Sequence, residues 1–327
     1  MHEAPSRLPF LSRTLRCALL LLALAACEGC SGTSEPSDQD VIPIPARGTE
    51  TTFDVGTWNL EWFGDPANGP DDDELQLRHV RDVLKGADLD LWGLEEVVSR
   101  SRFSSLVNAL PGYAGLLAND PAVQDGVAYY SDFSDQEQKV ALVYKASAVE
   151  VLAARVILTG ESDAFAGRPP LEARVRVHVG GSTVEGVVIV LHAKSGADQA
   201  SWERRGAAAA ALKAYLDTTW PAARVWVIGD FNDDVDTSIS SGRASPYAGF
   251  VGDAARWSFP TGALSAAGTT TIIGFPDAID HQLVSDEASA GYVSGSVEAY
   301  RVDQHIPQYG ATTTDHYPVL ARYRIGS

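Results

Sequence analysis

Val225-Trp226-Val227-Ile228-Gly229-Asp230-Phe231-Asn232 joins an unbroken apolar run to a glycine and two polar side chains. A continuous apolar run stopped by a glycine predicts a strand covered on both faces, since a strand with one wet face alternates apolar and polar residues. Past the glycine the chain presents a carboxylate and a carboxamide two residues apart. Open α/β sheets place their ligands at this carboxyl edge. A hard cation or a phosphoryl group would be served by both side chains. An Asx-type turn closing a core strand would look the same locally. Matching groups at other strand ends decide between the two readings.

Such groups recur along the chain. Asp54-Val55-Gly56-Thr57-Trp58-Asn59 ends in an asparagine, and Leu91-Trp92-Gly93-Leu94-Glu95-Glu96-Val97 ends in paired glutamates. Val188-Ile189-Val190-Leu191-His192 ends in a histidine, and Thr314-Asp315-His316-Tyr317-Pro318 leads into the final apolar run. A buried-strand asparagine or a surface glutamate pair is ordinary alone. Five strand ends carrying oxygen or imidazole donors describe one site.

Further strands are expected at Lys139–Tyr144, Val149–Leu158, Leu171–Val179, Thr183–His192, Ala278–Val284, Tyr292–Val302 and Val319–Tyr323. Helices are expected at Asp71–Lys85, closed by Gly86, at Ser101–Leu110, and at Ala197–Thr219 with Asp198 near its start. Hairpin-like pairs among mixed strands and helices predict an α/β sandwich, not a simple parallel doubly wound sheet. Trp62–Gly69 and Asp233–Thr271 read as long, functional connections.

The 327 residues carry a formal charge of -18, which argues against gripping nucleic acid by electrostatics alone. It does not argue against hydrolysing a phosphodiester. Arg7, Arg13 and Arg16 precede the apolar run Ala18–Ala26, too short to span a bilayer and suited to a signal peptide. The end of that run, Leu24-Ala25-Ala26-Cys27, resembles the lipobox of bacterial lipoproteins, which implies export, lipidation of Cys27 and residence at the cell envelope, on the outer membrane or cell surface, or release to the medium. Of three cysteines, Cys17 leaves with the signal and Cys27 carries lipid, so Cys30 alone remains and no internal disulfide forms. The Ser-, Pro- and Gly-rich residues 27–50 read as a flexible tether, with a reach of about 25–30 Å. Residues 51–327 read as one catalytic domain, expected to be monomeric.

Taken in order, Trp-Asn-Leu, Leu-Glu-Glu-Val, His-Ala-Lys-Ser, Gly-Asp-Phe-Asn and Asp-His-Tyr-Pro-Val resemble the endonuclease/exonuclease/phosphatase superfamily, typified by pancreatic deoxyribonuclease, from about Thr52 to Tyr323. The resemblance implies a four-layer α/β sandwich, two mixed sheets face to face with helices outside. It implies divalent-metal-dependent hydrolysis of phosphoesters, with Mg²⁺ first, Mn²⁺ as a substitute and Ca²⁺ as a structural ion. By this resemblance Glu96 is the principal metal ligand, and Asn59 and Asp315 hold the metal or its waters. Asp230 and Asn232 orient the attacking water and the phosphate, His192 and His316 flank the scissile phosphate, Asp280 orients His316, and Arg168 contacts substrate phosphate.

Two departures stand out. Glu95 occupies a place where the family has glutamine, and is expected to be a solvated neighbour of the site. Gln138 falls near the place of a glutamate that supports the counterpart of His192, and a glutamine supports an imidazolium less well. Lys194 is expected to be solvated. The implied activity is an extracytoplasmic phosphodiesterase with DNA or RNA as substrate and the membrane as its anchor. The rivals are a sphingomyelinase- or phosphoinositide-type lipid phosphoesterase, for which Tyr247, Phe250 and Trp257 would form an exposed aromatic hairpin, and a catalytically silent surface-binding lipoprotein.

Overall fold

The structure, a computed structural model, describes residues 41–130 and 136–326. The expected signal segment, Cys27 and the first part of the tether lie outside these residues. Among the described residues are strands β1 (Phe53–Phe63), β2 (Leu91–Val97), β3 (Tyr113–Leu117), β4 (Val123–Gln124), β5 (Lys139–Lys145), β6 (Val149–Val156) and β7 (Leu171–Val179). They continue with β8 (Ser182–His192), β9 (Val225–Asp230), β10 (Trp257–Ser258), β11 (Asp280–Ser285), β12 (Glu298–Ala299) and β13 (Val319–Tyr323). The long helices are α1 (Asp73–Ala87), α2 (Arg100–Asn108) and α3 (Gln199–Thr219). None is long and apolar enough to cross a membrane.

One sheet runs β12-β13-β1-β2-β5-β3 and the other β10-β11-β9-β8-β7-β6-β4, each mixing parallel and antiparallel pairs. The Val225–Ile228 run is apolar throughout because both of its faces are covered. Trp226 and Ile228 share one core with Phe53, Val55, Leu91 and Leu142 of the facing sheet, and Trp226 packs edge-on against Phe53. Val225 and Val227 pack with Ala208, Ala209, Leu212 and Leu216 of α3. On the opposite flank, Val80, Val83 and Leu84 of α1 and Phe103 and Leu106 of α2 cover Trp58, Trp92 and Leu94. Helix, sheet, sheet and helix make the four layers expected from the resemblance.

Four elements differ from expectation. Residues 41–50 are not free tether: Ile42 N donates to Asp82 Oδ2 (2.9 Å), Ile44 is buried, and Arg47 pairs with Glu298 and lies over Tyr300. Gly86 does not end α1, which runs to Ala87 and closes on Asp88 in the left-handed region. Its lack of a side chain admits that strap, since a Cβ there would lie 2.6 Å from the Ile44 side chain. Of Tyr292–Val302 only Glu298–Ala299 pairs as a strand, whereas β3, unanticipated, forms the sheet edge beside β5.

Candidate active site

The parallel pairing of β8 with β9 sets His192 opposite Asp230, and the antiparallel pairing of β9 with β11 sets Asp280 opposite the same Asp230. Three adjacent strands thus deliver His192, Asp230 and Asp280 at one level. Gly229 makes the tight β8–β9 approach: a Cβ would sit 1.9 Å from the Leu191 carbonyl oxygen. Asn232 then turns into the left-handed region (φ 53°), and its backbone N–H donates to Asp230 Oδ1 at 2.8 Å.

The other sheet supplies Asn59 and Glu96. The β1–β2 register shifts after Asn59, and Glu96 sits at φ 58°, a local kink that turns its carboxylate toward the end of β1. Trp62 N–H donates to Glu96 Oε2 (3.0 Å). Asn59 Nδ2 bridges the sheets, donating to Glu96 Oε1 (3.2 Å) and to Asp230 Oδ2 (3.0 Å). His192 Nε2 lies 3.6 Å and 3.5 Å from the same two oxygens. Asn232 Nδ2 donates to Asp230 Oδ2 (2.9 Å) and to the Ala193 carbonyl (3.2 Å), so here it holds Asp230 in place.

His316 reaches the cluster from the segment before β13. Its Nδ1 lies 3.0 Å from Asp280 Oδ2, its Nε2 is 3.9 Å from Asp230 Oδ2, and Trp58 Nε1 donates to its carbonyl (3.0 Å). Asp315, half-exposed at the rim, receives Glu61 as a neighbour: the Asp315 N–H donates to Glu61 Oε2 (2.9 Å). Asp280, Asp230 and His316 place possible ligand atoms within 4.8 Å of one another. Arg168 closes the opposite side, donating to Gln138 Oε1 and to the Ala193 carbonyl (2.7 Å).

Electrostatically the site is crowded with acid. Burial and the nearby Asp280 push Asp230 up to about 7 against the opposing pull of His316 and the Asn232 and Asn59 hydrogen bonds. Burial, Asp315 and Glu96 push Glu61 up to about 7. Burial works against a charged His316, but Asp280 and Asp230 outweigh it and hold the imidazole well above its ordinary range. Burial, helped by Arg168 and His316, holds His192 well below that range, and its Nδ1 has no hydrogen-bond partner. Gathered carboxylates that raise one another's affinity for protons are a donor set suited to a hard divalent cation. Glu96 and Asp230, joined through Asn59, fit such an ion, with Asp315 and Glu61 beside them.

Sequence reading misplaced several groups. Glu95 is not solvated: it is fully buried, accepts from Thr57 Oγ1 (2.9 Å), and burial with Asp280 and Asp230 raises it well above the carboxylate range. Gln138 serves Arg168, not His192. Glu61 was overlooked: past Asn59 the β1–β2 register shifts and Glu61 itself sits in the left-handed region (φ 48°), so strand alternation gives no signal for it. Arg205 was also missed. Fully buried on α3, it donates through Nε to Asp233 Oδ2 (2.8 Å) and through Nη1 to the carbonyls of Lys194 (2.8 Å) and Gly196 (2.6 Å). It thereby ties the segment after His192 to the segment after Asn232. Tyr247, Phe250 and Trp257 are buried against Phe231, Phe259 and α3, so they form no exposed aromatic hairpin.

A four-layer sandwich with strand-end carboxylates and two histidines converging on one aspartate defines a phosphoesterase-type hydrolase. From Gly56 to His316 the sequence matches the Endonuclease/Exonuclease/phosphatase family, and the chain belongs to it. Members of this superfamily are phosphoesterases and nucleases that use divalent metals. The comparison with curated proteins finds no match. Among solved structures the fold is similar to the human Nocturnin catalytic domain with bound sulfate (18% identity, 85% of this chain and 98% of that one, TM-score 0.55). It is also similar to a family member from Bacteroides vulgatus (18%, 83% and 98%, TM-score 0.57). A third is D. rerio TDP2 complexed with single-strand DNA product (12%, 83% and 98%, TM-score 0.56).

Proposed function

We propose that the chain is a Mg²⁺-dependent phosphodiesterase acting on DNA or RNA, exported and held at the cell envelope by lipid on Cys27. The observation that carries the reading is Asp230, reached at once by Asn59, His192 and the Asp280-held His316. Glu96 and Asp230, with Asp315 and Asn59 nearby, would hold the metal, which supplies Lewis-acid stabilisation of phosphoryl and leaving oxygens. Asp230, its carboxylate fixed by Asn59 and Asn232, orients the attacking water and accepts its proton. His316, kept protonated by Asp280, donates a proton to the departing oxygen. His192, neutral and facing the same space, donates to a non-bridging oxygen. The buried positions of Tyr247, Phe250 and Trp257 favour a nucleic-acid substrate over a bilayer lipid.

The test is turnover of plasmid DNA, single-stranded RNA, sphingomyelin and phosphoinositide with Mg²⁺ or Mn²⁺, beside His192→Ala. Metal-dependent cleavage of nucleic acid that the substitution abolishes is expected. Turnover of lipid alone would remove the nuclease, and turnover of no phosphoester would remove the enzyme.

A further inference from the structure

The mouth of the site is electrically lopsided. Glu61, Glu96 and Asp315 lie on one side, whereas the segments around Arg168 and after His192 bring cations to the other, in a chain whose formal charge is -18. Arg168 is anchored by Gln138 and by the Ala193 carbonyl, which fixes it beside the residue preceding Lys194. Its Nε has no hydrogen-bond partner although it is buried. Arg204, on α3, is held in place from behind by Asp163: its Nε donates to the Asp163 carbonyl at 2.8 Å and its Nη2 lies 3.4 Å from the exposed Asp163 Oδ1, while about a third of the Arg204 side chain remains exposed. Lys194 reaches no carboxylate, and its ammonium donates only to the adjacent Ser195 carbonyl (2.6 Å). Arg168, Lys194 and Arg204 are near enough to repel one another. Asp163 at Arg204, Asp198 near Lys194, and Glu96 and Asp230 near Arg168 offset part of that repulsion. A phosphate joining the three would lower it further, and arginine forks suit its oxygens.

We infer that Arg168, Lys194 and Arg204 form a binding site for a second phosphate, the phosphodiester flanking the scissile one along a polynucleotide strand. The inference rests on the phosphodiesterase reading above and adds to it the recognition of an extended strand. The scissile phosphate would lie across the mouth of the site, over the His192–Asp230 pair, which are themselves 3.5 Å apart. The chain of cations leading away through the Ala193–Lys194 segment meets the next phosphate. A single phosphodiester without neighbours fills the catalytic centre and leaves this site empty.

The experiment compares the full chain with a Lys194→Ala/Arg204→Ala variant on three substrates, a single-stranded oligonucleotide, bis(p-nitrophenyl) phosphate and a phosphoinositide. Loss of kcat/KM on the oligonucleotide is expected to exceed that on the small diester by at least about tenfold, carried by KM. The slope of log(kcat/KM) against log[salt] should become shallower by about 0.7, the contribution of one single-strand phosphate. A Lys194→Arg/Arg204→Lys variant, which keeps both charges, should recover most of the loss. Equal losses on the oligonucleotide and the small diester, or none on either, would overturn the proposal. A selective loss on phosphoinositide with the oligonucleotide unaffected would assign the second phosphate to a lipid headgroup and overturn it too. Anisotropy of a labelled oligonucleotide on a His316→Ala background reads the site without turnover. There, unchanged affinity on adding the double substitution would refute the site even if the chain proved to cleave no phosphodiester.

Discussion

Replacing Gly229 by alanine tests the link between strand pairing and the site. The new Cβ would lie 1.9 Å from the Leu191 carbonyl oxygen, whereas real Cβ contacts stay beyond 3.0 Å. β8 and β9 must therefore part by ~1 Å at the pair next to His192 and Asp230. Overpacking of this kind costs about 1–3 kcal/mol. With roughly 2–4 °C per kcal/mol in a domain of this size, a fall in Tm on the order of 5 °C follows. Displacing a catalytic group by ~1 Å costs about 100-fold in rate. Thermal melts by circular dichroism and single-turnover cleavage of a phosphodiester are the assays. Gly112→Ala serves as a control, since its φ is also positive but a Cβ there meets nothing within 4 Å. Gly229→Ala with Tm within about 1 °C of the parent and a rate within about threefold would refute the reasoning.

Further outcomes follow from other parts of the structure. Arg205→Met should lower stability by about 3–5 kcal/mol by leaving Asp233 buried and unpaired, and adding Asp233→Asn should restore much of the Tm but not kcat, since the segments after β8 and β9 stay untied. Asp90, raised to about 6 by burial, with the Asp54 charge adding to it and the Asp54 N–H hydrogen bond and Lys145 opposing it, favours folding fully below pH ~4 and loses that contribution as pH rises through about 6. Asp90→Asn should therefore stabilise the protein at pH 8, by at most about 3 kcal/mol, and not at pH 4, as read by urea melts; the opposite pH trend would refute the assignment. If His316 is the proton donor, His316→Ala should lose at least about 100-fold on an oligonucleotide but far less on bis(p-nitrophenyl) phosphate, whose leaving group needs no proton.

Much of this was legible in the chain because strand ends carry local signals. Val225–Ile228 announces its two covered faces through unbroken apolarity, and α3 announces its start through Asp198, whose carboxylate accepts from Ser201 N–H (3.0 Å). The residues around Asp230 were readable for a related reason: His192 and Asp230 end β8 and β9, Asp280 opens β11, and His316 stands just before β13. What escaped depends on contacts between distant segments. Glu95 is buried because the second sheet covers it, and nothing in Leu-Glu-Glu-Val distinguishes the buried glutamate from Glu96. Ile42 and Ile44 sit among Pro, Gly and Thr that suggest a tether, yet they find α1. Gly86 reads as a helix terminator and in fact clears a path for Ile44. Arg205 lies in an alanine-rich helix where an arginine ordinarily faces water, and only the turn at Asp233 makes it a buried hub.

If oxygens gathered from both sheets form one metal-dependent phosphodiester-cleaving site, its turnover must depend on the ion and on Glu96. The most direct measurement is the Mg²⁺ dependence of phosphodiester turnover in the parent chain and in Glu96→Gln. The parent should lose turnover in chelator and regain it with Mg²⁺, and Glu96→Gln should need far more Mg²⁺ and fall by at least about 100-fold at saturation. Turnover that survives chelation, or a Mg²⁺ response unchanged by Glu96→Gln, would contradict such a site.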